Sequence, residues 1–192
     1  MKVKVTPSKV HGNVKIPASK SMAHRALICA SLSDGTSLVS NVTNSKDIEA
    51  TVGCMKALGA IIKQIDETTY EVTGTNLFKQ EGSITCNANE SGSTLRFLIP
   101  LAACTNAKVK FLGQGRLLQR PMDVYANELK KQNIEFNQSD KEIIVSGNLQ
   151  AKDYVVQGDI SSQFITGFMF VLPLLGQDST LTITEPYESK SY

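Results

Sequence analysis

The chain has 192 residues, Lys+Arg 20 against Asp+Glu 18, a formal net charge of +2 and a hydrophobic fraction of 41%. A chain of this length holds one domain or two small ones and buries a core without disulfides or metals. Near-balanced charge excludes a generally basic nucleic-acid coat and an acidic disordered tail.

Met1 to Pro7 carries no apolar run and no small-residue cleavage site. No secretory signal is read there, and a cytoplasmic location is expected. Pro17-Ala-Ser-Lys-Ser-Met-Ala-His-Arg25 then places a serine cluster at a predicted helix start, and Thr36 to Val39 reads as a strand. Asp47 to Leu58 reads as an amphipathic helix, followed by two β-like runs closing at Gly74. The same grammar restarts at Ser91-Gly-Ser-Thr-Leu-Arg96, with a strand at Lys108 to Phe111, a helix at Asp123 to Lys131 and β-like runs closing at Gly147. It starts a third time at Ser161-Ser-Gln-Phe164, runs through an apolar helix to Leu175 and reaches a strand at Thr180 to Thr184.

The serines at 19, 91 and 161 are 72 and 70 residues apart, Leu58 and Leu129 are 71 apart, and Gly74 and Gly147 are 73 apart. A fixed period of this kind marks a repeated unit. Each unit reads β-α-β-α-β-β, over about residues 16–80, 81–150 and 151–192, with the second helix and last hairpin of the third unit missing. The chain therefore reads as truncated. The period is too long for a thin solenoid, so units packed round a shared helical core are expected. The helix from Ser161 to Leu175 is apolar nearly all round and is expected to be buried on every side.

Cys29, Cys54, Cys86 and Cys104 form no CxxC pair, and neither His11 nor His24 stands at metal spacing to them, so neither a zinc site nor a disulfide framework is expected. The run from Phe164 to Leu175 is too short to span a bilayer. The 12 aromatics (Tyr 5, Phe 7, Trp 0) do not interleave with the basic motifs, which argues against a nucleic-acid platform.

Anion chemistry is the stronger signal. Of the 20 basic residues only Arg25, Arg96, Arg116 and Arg120 are arginines. Arginine's planar fork suits phosphate and carboxylate, whereas lysine is a hydrated point charge. Helix starts present unpaired N–H groups and a positive dipole end. Ser21 and Arg25 share a face at i, i+4, and Gly92 and Arg96 repeat the spacing, with glycine permitting close backbone approach. Ser161, Ser162 and Gln163 add neutral donors. Each cluster taken singly reads as an N-cap; three at one repeat position point to convergence on one anionic ligand. Arg120-Pro121 reads as an arginine in extended geometry just ahead of a helix with proline at its first position. His24 has no acid spaced to orient it and reads as structural, while Asp47 and Glu49 favour the start of their helix.

These motifs, together with Gly35-Thr36, Asp47, Leu58-Gly59, Arg120-Pro-Met122 and Gly158-Asp-Ile-Ser-Ser-Gln163, closely resemble the 5-enolpyruvylshikimate-3-phosphate synthase family along the whole chain and in family order. The resemblance implies an α/β fold: one lobe of an inside-out α/β barrel of the enolpyruvyl transferase type, with an incomplete third unit. Residues 1–15 would be a strand segment pairing with a second, C-terminal lobe, and residues 16–192 the substrate-binding lobe. The implied reaction moves the enolpyruvyl group of phosphoenolpyruvate to the 5-hydroxyl of shikimate 3-phosphate through a tetrahedral intermediate, releasing phosphate. The resemblance implies no metal or organic cofactor and a monomeric intact enzyme, with no nucleic-acid or membrane partner.

Residue by residue, the resemblance assigns Lys20, Ser21 and Arg25 to shikimate 3-phosphate, with Ser161, Ser162 and Gln163 at its phosphate. It assigns Lys20, Gly92, Arg120 and Gln163 to phosphoenolpyruvate, on the side where glyphosate binds in this family, and makes Lys20 the electrostatic bridge between the two anions. Ser189 and Tyr192 match further shikimate-3-phosphate contacts. The family's proton-transferring acids have no counterpart here. Ser191 replaces a usual proline, Glu90 a usual asparagine and Ser93 a frequent threonine; Arg96 and Arg116 receive no role. Two other readings stand beside this one: an isolated ligand-binding lobe without catalysis, and a UDP-N-acetylglucosamine enolpyruvyl transferase. The second is disfavoured by Lys20-Ser21, where that family has Lys-Asn, and by the Ser-Ser-Gln cluster it lacks.

Overall fold

The computed structural model describes residues 2–9 and 11–187. Its first unit comprises α1 (Lys20–Leu32), β1 (Thr36–Val39), α2 (Lys46–Ala57), β2 (Ile61–Gln64) and β3 (Tyr70–Thr73). Serines start both helices: the Ser19 and Ser45 hydroxyls accept the Met22 and Ile48 amides, as N-caps do. Asp47 and Glu49 in the first turn of α2, and Lys56 in its last, complement the helix dipole. The three strands form an antiparallel sheet in the order β1-β3-β2.

The second unit is complete: β4 (Glu81–Asn87), α3 (Gly92–Ala102), β5 (Asn106–Leu112), α4 (Asp123–Lys130), β6 (Glu135–Gln138) and β7 (Ile143–Ser146). Its sheet runs β4-β5-β7-β6, with β4 and β5 parallel across the α3 crossover and the remaining pairs antiparallel. The third unit comprises β8 (Asp153–Gln157), α5 (Ser162–Val171) and β9 (Thr180–Thr184), with β8 and β9 parallel across α5. Measured against β5, which has a partner on each side, β1 has the antiparallel neighbour only and β9 the parallel one only. Residues 2–9 and 11–19 contain no strand in this chain.

A single hydrophobic cluster runs through all three units. On β5, Ala107, Val109 and Phe111 point inward at period two, and α3 is apolar enough that Leu95 and Phe97 to Ala102 are all buried. Each such side chain removed from water contributes about 1.5–3 kcal/mol. α3 and α5 cross closely at Gly167. A Cβ there would collide with the Tyr125 hydroxyl and lie 2.8 Å from the Arg96 carbonyl oxygen. Pro100, inside α3, lacks the N–H that the Arg96 carbonyl would accept four residues earlier. The buried Tyr125 hydroxyl fills that gap, donating to Arg96 O at 2.7 Å and lying 3.2 Å from Phe164 O.

Three details depart from the sequence reading. The third helix ends at Val171 and tightens into a 3-10 turn, Leu172–Leu174, because Pro173 cannot donate to the ladder. Nor is it buried on every side: Met169 is 62% exposed beside a cavity of about 530 Å³ that it lines with Leu172, Pro173 and Leu181. α4 starts at Asp123 with Met122 at the N-cap, so Pro121 stands one residue ahead of the cap and not at the first helical position. All four cysteines are free; Cys54, Cys86 and Cys104 are buried, while Cys29 faces solvent. Among the described residues no helix is long and apolar enough to cross a membrane.

Candidate functional site

The starts of α1, α3 and α5 carry the same device. Ser19, Ser91 and Ser161 are all N-caps, accepting from Met22, Thr94 and Gln163 amides at 3.3, 3.2 and 3.3 Å. The 70-residue grammar is thus a repeated cap, and the residues just inside each cap are half-buried or exposed. Side chains join these starts to one another. Gln163 at the head of α5 donates to the Ser93 hydroxyl on α3 at 2.8 Å and accepts from Arg96 Nη1 at 2.8 Å. The start of α2 lies between those of α1 and α3: Lys20 pairs with Asp47 at 2.5 Å, and the Thr94 hydroxyl lies 3.3 Å from the Asp47 carbonyl.

The cations are held differently. Lys20 is half exposed, so its pair with Asp47 contributes under about 1 kcal/mol and is readily exchanged for a ligand oxygen. Arg25 donates to the Ser21 carbonyl at 2.9 Å and to the Thr166 hydroxyl on α5 at 3.1 Å, with its guanidinium 5.1 Å from the centre of the Phe97 ring. That ties α1 to α5 beneath the site. Arg96 stacks over Phe164 at 5.2 Å. Burial first, and then the neighbouring Arg120, press its guanidinium down from the usual range.

Arg120 follows the 3-10 turn Leu117–Gln119 with extended backbone (φ −68, ψ 138), as a residue before proline should. Its guanidinium lies against Gly92, where a Cβ would collide with Nη1; the same Cβ would lie 3.5 Å from Arg96 Nη1. Gly92 is therefore the notch into which two guanidiniums reach, and Arg96 and Arg120 make no ion pair among the described residues. Two like charges converging on one backbone position, at a helix start, form an anion cradle.

Glu90 does not fill that cradle. Its carboxylate is turned toward Gly115, where a Cβ would meet Oε1 at 2.6 Å and where φ is +59. A cavity of about 550 Å³ lined by Asp47, Asn89, Glu90 and Gln114 opens beside the helix starts. Arg116 is exposed. Contacts between elements thus link Lys20 to α2, Arg25 to α5, Gln163 to α3 and Arg120 to Gly92, while Ser21, Ser161 and Ser162 stand at the starts of α1 and α5. Ser189 and Tyr192 lie outside the described residues.

Sequence reasoning did not find the Lys20–Asp47 pair, the Arg96–Gln163–Ser93 bridge or the buried hydroxyls of Thr51 and Thr94. Each depends on the approach of two helices, and no spacing within one element signals it.

The family described as EPSP synthase (3-phosphoshikimate 1-carboxyvinyltransferase) matches residues 5–192. A 3-phosphoshikimate 1-carboxyvinyltransferase of Clostridium perfringens is 47% identical over 193 residues, and one of Clostridium kluyveri 47% over 192. These alignments cover 100% and 99% of this chain but 45% of each relative, so the chain spans under half the length of the curated relatives it matches. Among solved structures, EPSP synthase from Acinetobacter baumannii superposes over 91% of this chain and 41% of its own, with a TM-score of 0.77 at 21% identity. The enolpyruvyl transferase NikO from Streptomyces tendae gives a TM-score of 0.54 at 14% identity, covering 85% and 38%. At those identities the structures establish the fold: an α/β lobe of the enolpyruvyl transferase type.

Proposed function

The chain belongs to the EPSP synthase family, and from that premise we propose that it supplies the shikimate-3-phosphate-binding half of a 3-phosphoshikimate 1-carboxyvinyltransferase. The observation that carries the reading is the joining of three capped helix starts around Arg96 and Arg120, which make no ion pair among the described residues. Both substrates are polyanions. Their approach is opposed by mutual repulsion, so a site that brings them together needs fixed positive charge on each side and one cation between.

Ser21 and Arg25 on α1, with Ser161, Ser162 and Gln163 on α5, hold shikimate 3-phosphate. Gly92 and Arg120 hold phosphoenolpyruvate through the α3 start, and Gln163 reaches both sides. Lys20 leaves Asp47 to bridge the two anions. In the reaction the 5-hydroxyl oxygen gives up its proton and bonds to C2 of phosphoenolpyruvate while the methylene carbon gains a proton to become a methyl group. The C2–O bond to phosphate then breaks as the methyl group loses a proton, which regenerates the double bond and releases phosphate. The chain's own contribution is positioning and charge neutralisation; the groups that move the protons belong to a further lobe, with which residues 1–15 would pair.

Calorimetric titration with shikimate 3-phosphate, followed by a phosphate-release assay with phosphoenolpyruvate, tests this. Binding without turnover is expected from the 192-residue chain, and Lys20→Ala or Arg25→Ala should remove the binding. Turnover by the chain alone, or unchanged affinity in both variants, refutes the assignment.

A further inference from the structure

His24 is 1% exposed on α1 and belongs to none of the ligand-facing groups above. Its Nδ1 lies 2.7 Å from the Thr51 hydroxyl of α2, which lies 2.7 Å from the Thr94 hydroxyl of α3. The Thr94 hydroxyl donates to Ser91 Oγ at 2.7 Å, and Ser91 Oγ also accepts the Thr94 amide at 3.2 Å. Four side chains from three helices thus form a single file. It ends on the cap that immediately precedes Gly92.

Counting protons gives the file a direction, because each hydroxyl has only one to donate. The Thr94 proton points to Ser91 Oγ or to the more distant Asp47 carbonyl, both away from Thr51. Thr94 Oγ must then accept from Thr51. With the Thr51 proton so used, the remaining contact requires the proton on His24 Nδ1. His24 Nε2 is buried without a partner whichever nitrogen is protonated, so the hydroxyl file decides the tautomer.

We propose that His24 is a positioning residue: as the Nδ1–H tautomer it fixes, through Thr51 and Thr94, the Ser91 cap and with it the Gly92–Ser93 turn of the anion cradle. The consequence for phosphoenolpyruvate rests on the function proposed above; the file itself does not.

The surroundings keep the ring neutral. Burial is the largest influence and lowers its pKa to about 4; Asp47 on α2 opposes this, and Lys20 and Arg25 on α1 add to it. α3 faces the ring with Phe97, whose ring centroid is 6.3 Å away at an interplanar angle of 77°.

His11 and His24 are the two histidines, so nitrogen-15 NMR of the imidazoles reads the tautomer directly. The expected signature for His24 is a protonated Nδ1 and a bare Nε2 at neutral pH; the reverse overturns the proposal. Amide exchange at Thr94 reads the cap. His24→Asn carries an amide N–H to the Nδ1 position and should keep Thr94 exchange near wild type. His24→Gln, which aims its amide toward the Nε2 position, and His24→Phe, which has no donor, should speed it about tenfold, the worth of one hydrogen bond. Equal exchange in all three variants refutes positioning. If His24→Phe fails to fold, the Asn-against-Gln comparison carries the test.

Phosphoenolpyruvate titration closes the experiment. Binding about tenfold weaker in His24→Gln than in His24→Asn is expected from the same lost bond; equal affinities with unequal Thr94 exchange overturn the link to the cradle. If the wild-type chain binds no phosphoenolpyruvate, the functional reading of Gly92 fails, while the tautomer and exchange results still judge the file.

Discussion

Replacing Tyr125 with phenylalanine removes one oxygen from a side chain that is 0% exposed, with its ring 4.9 Å from that of Phe164 and 5.4 Å from that of Phe168. The ring packing is unchanged, so the effect is that of the hydroxyl. Its proton goes to the nearer carbonyl, Arg96 O at 2.7 Å, which lacks its own helical partner because residue 100 is proline. A buried carbonyl left unsatisfied costs about 1–3 kcal/mol, and 2 kcal/mol in a chain of this size lowers the melting temperature by about 4–8 °C. Urea denaturation of four proteins tests the cause: wild type, Tyr125→Phe, Pro100→Ala and the double variant. Pro100→Ala restores the N–H, so the hydroxyl should matter less in that background, with a coupling of about 1 kcal/mol. A cost for Tyr125→Phe that is the same in both backgrounds would show that the proline gap is not what the hydroxyl fills.

Other outcomes follow from the same geometry. Gly92→Ala pushes the Arg120 guanidinium out of its notch and should weaken phosphoenolpyruvate binding by about tenfold, the scale of one charge-assisted hydrogen bond, with shikimate 3-phosphate affinity little changed; calorimetry with each ligand separates the two. Gly167→Ala drives a methyl into the Tyr125 hydroxyl and the Arg96 backbone, and overpacking there should cost about 1–3 kcal/mol in denaturant titrations. The unfolded His24 ring titrates near 6.5 and the folded one near about 4, so between these values only the unfolded chain binds the proton. Stability is therefore fully present above about 6.5 and falls as the pH drops toward 4, by up to about 3 kcal/mol. Denaturation midpoints at pH 7 and 4.5 should differ less in His24→Asn than in wild type; an identical acid loss in both proteins would sever the link.

The repeat was legible because the caps are local. A serine whose hydroxyl accepts an amide N–H two or three residues on is written in one turn of sequence, and it recurs in phase at 19, 91 and 161. The strand at Thr180–Thr184 and both hairpins closing at Gly74 and Gly147 were readable for the same reason. The position of Pro121 was misread by two places because helical geometry after proline depends on what Met122 packs against, and Met122 is buried. The burial of α5 was overstated because an apolar residue such as Met169 does not reveal whether an element covers it. Within the site, the cations Arg25 and Arg120 stood out by residue type. Thr51 and Thr94 did not, since a threonine in a helix looks alike whether it faces solvent or carries a buried hydrogen bond.

The unequal pairing of the three units bears on how this polypeptide behaves in a tube. β5 exposes no hydrogen-bonding edge, but β1 and β9, like the other edge strands, each leave one row of N–H and C=O groups without a strand partner among the described residues. Short strands limit the hazard, and Thr180, Thr182 and Thr184 give β9 a polar exposed face. Open edges still template pairing with whatever extended chain arrives first.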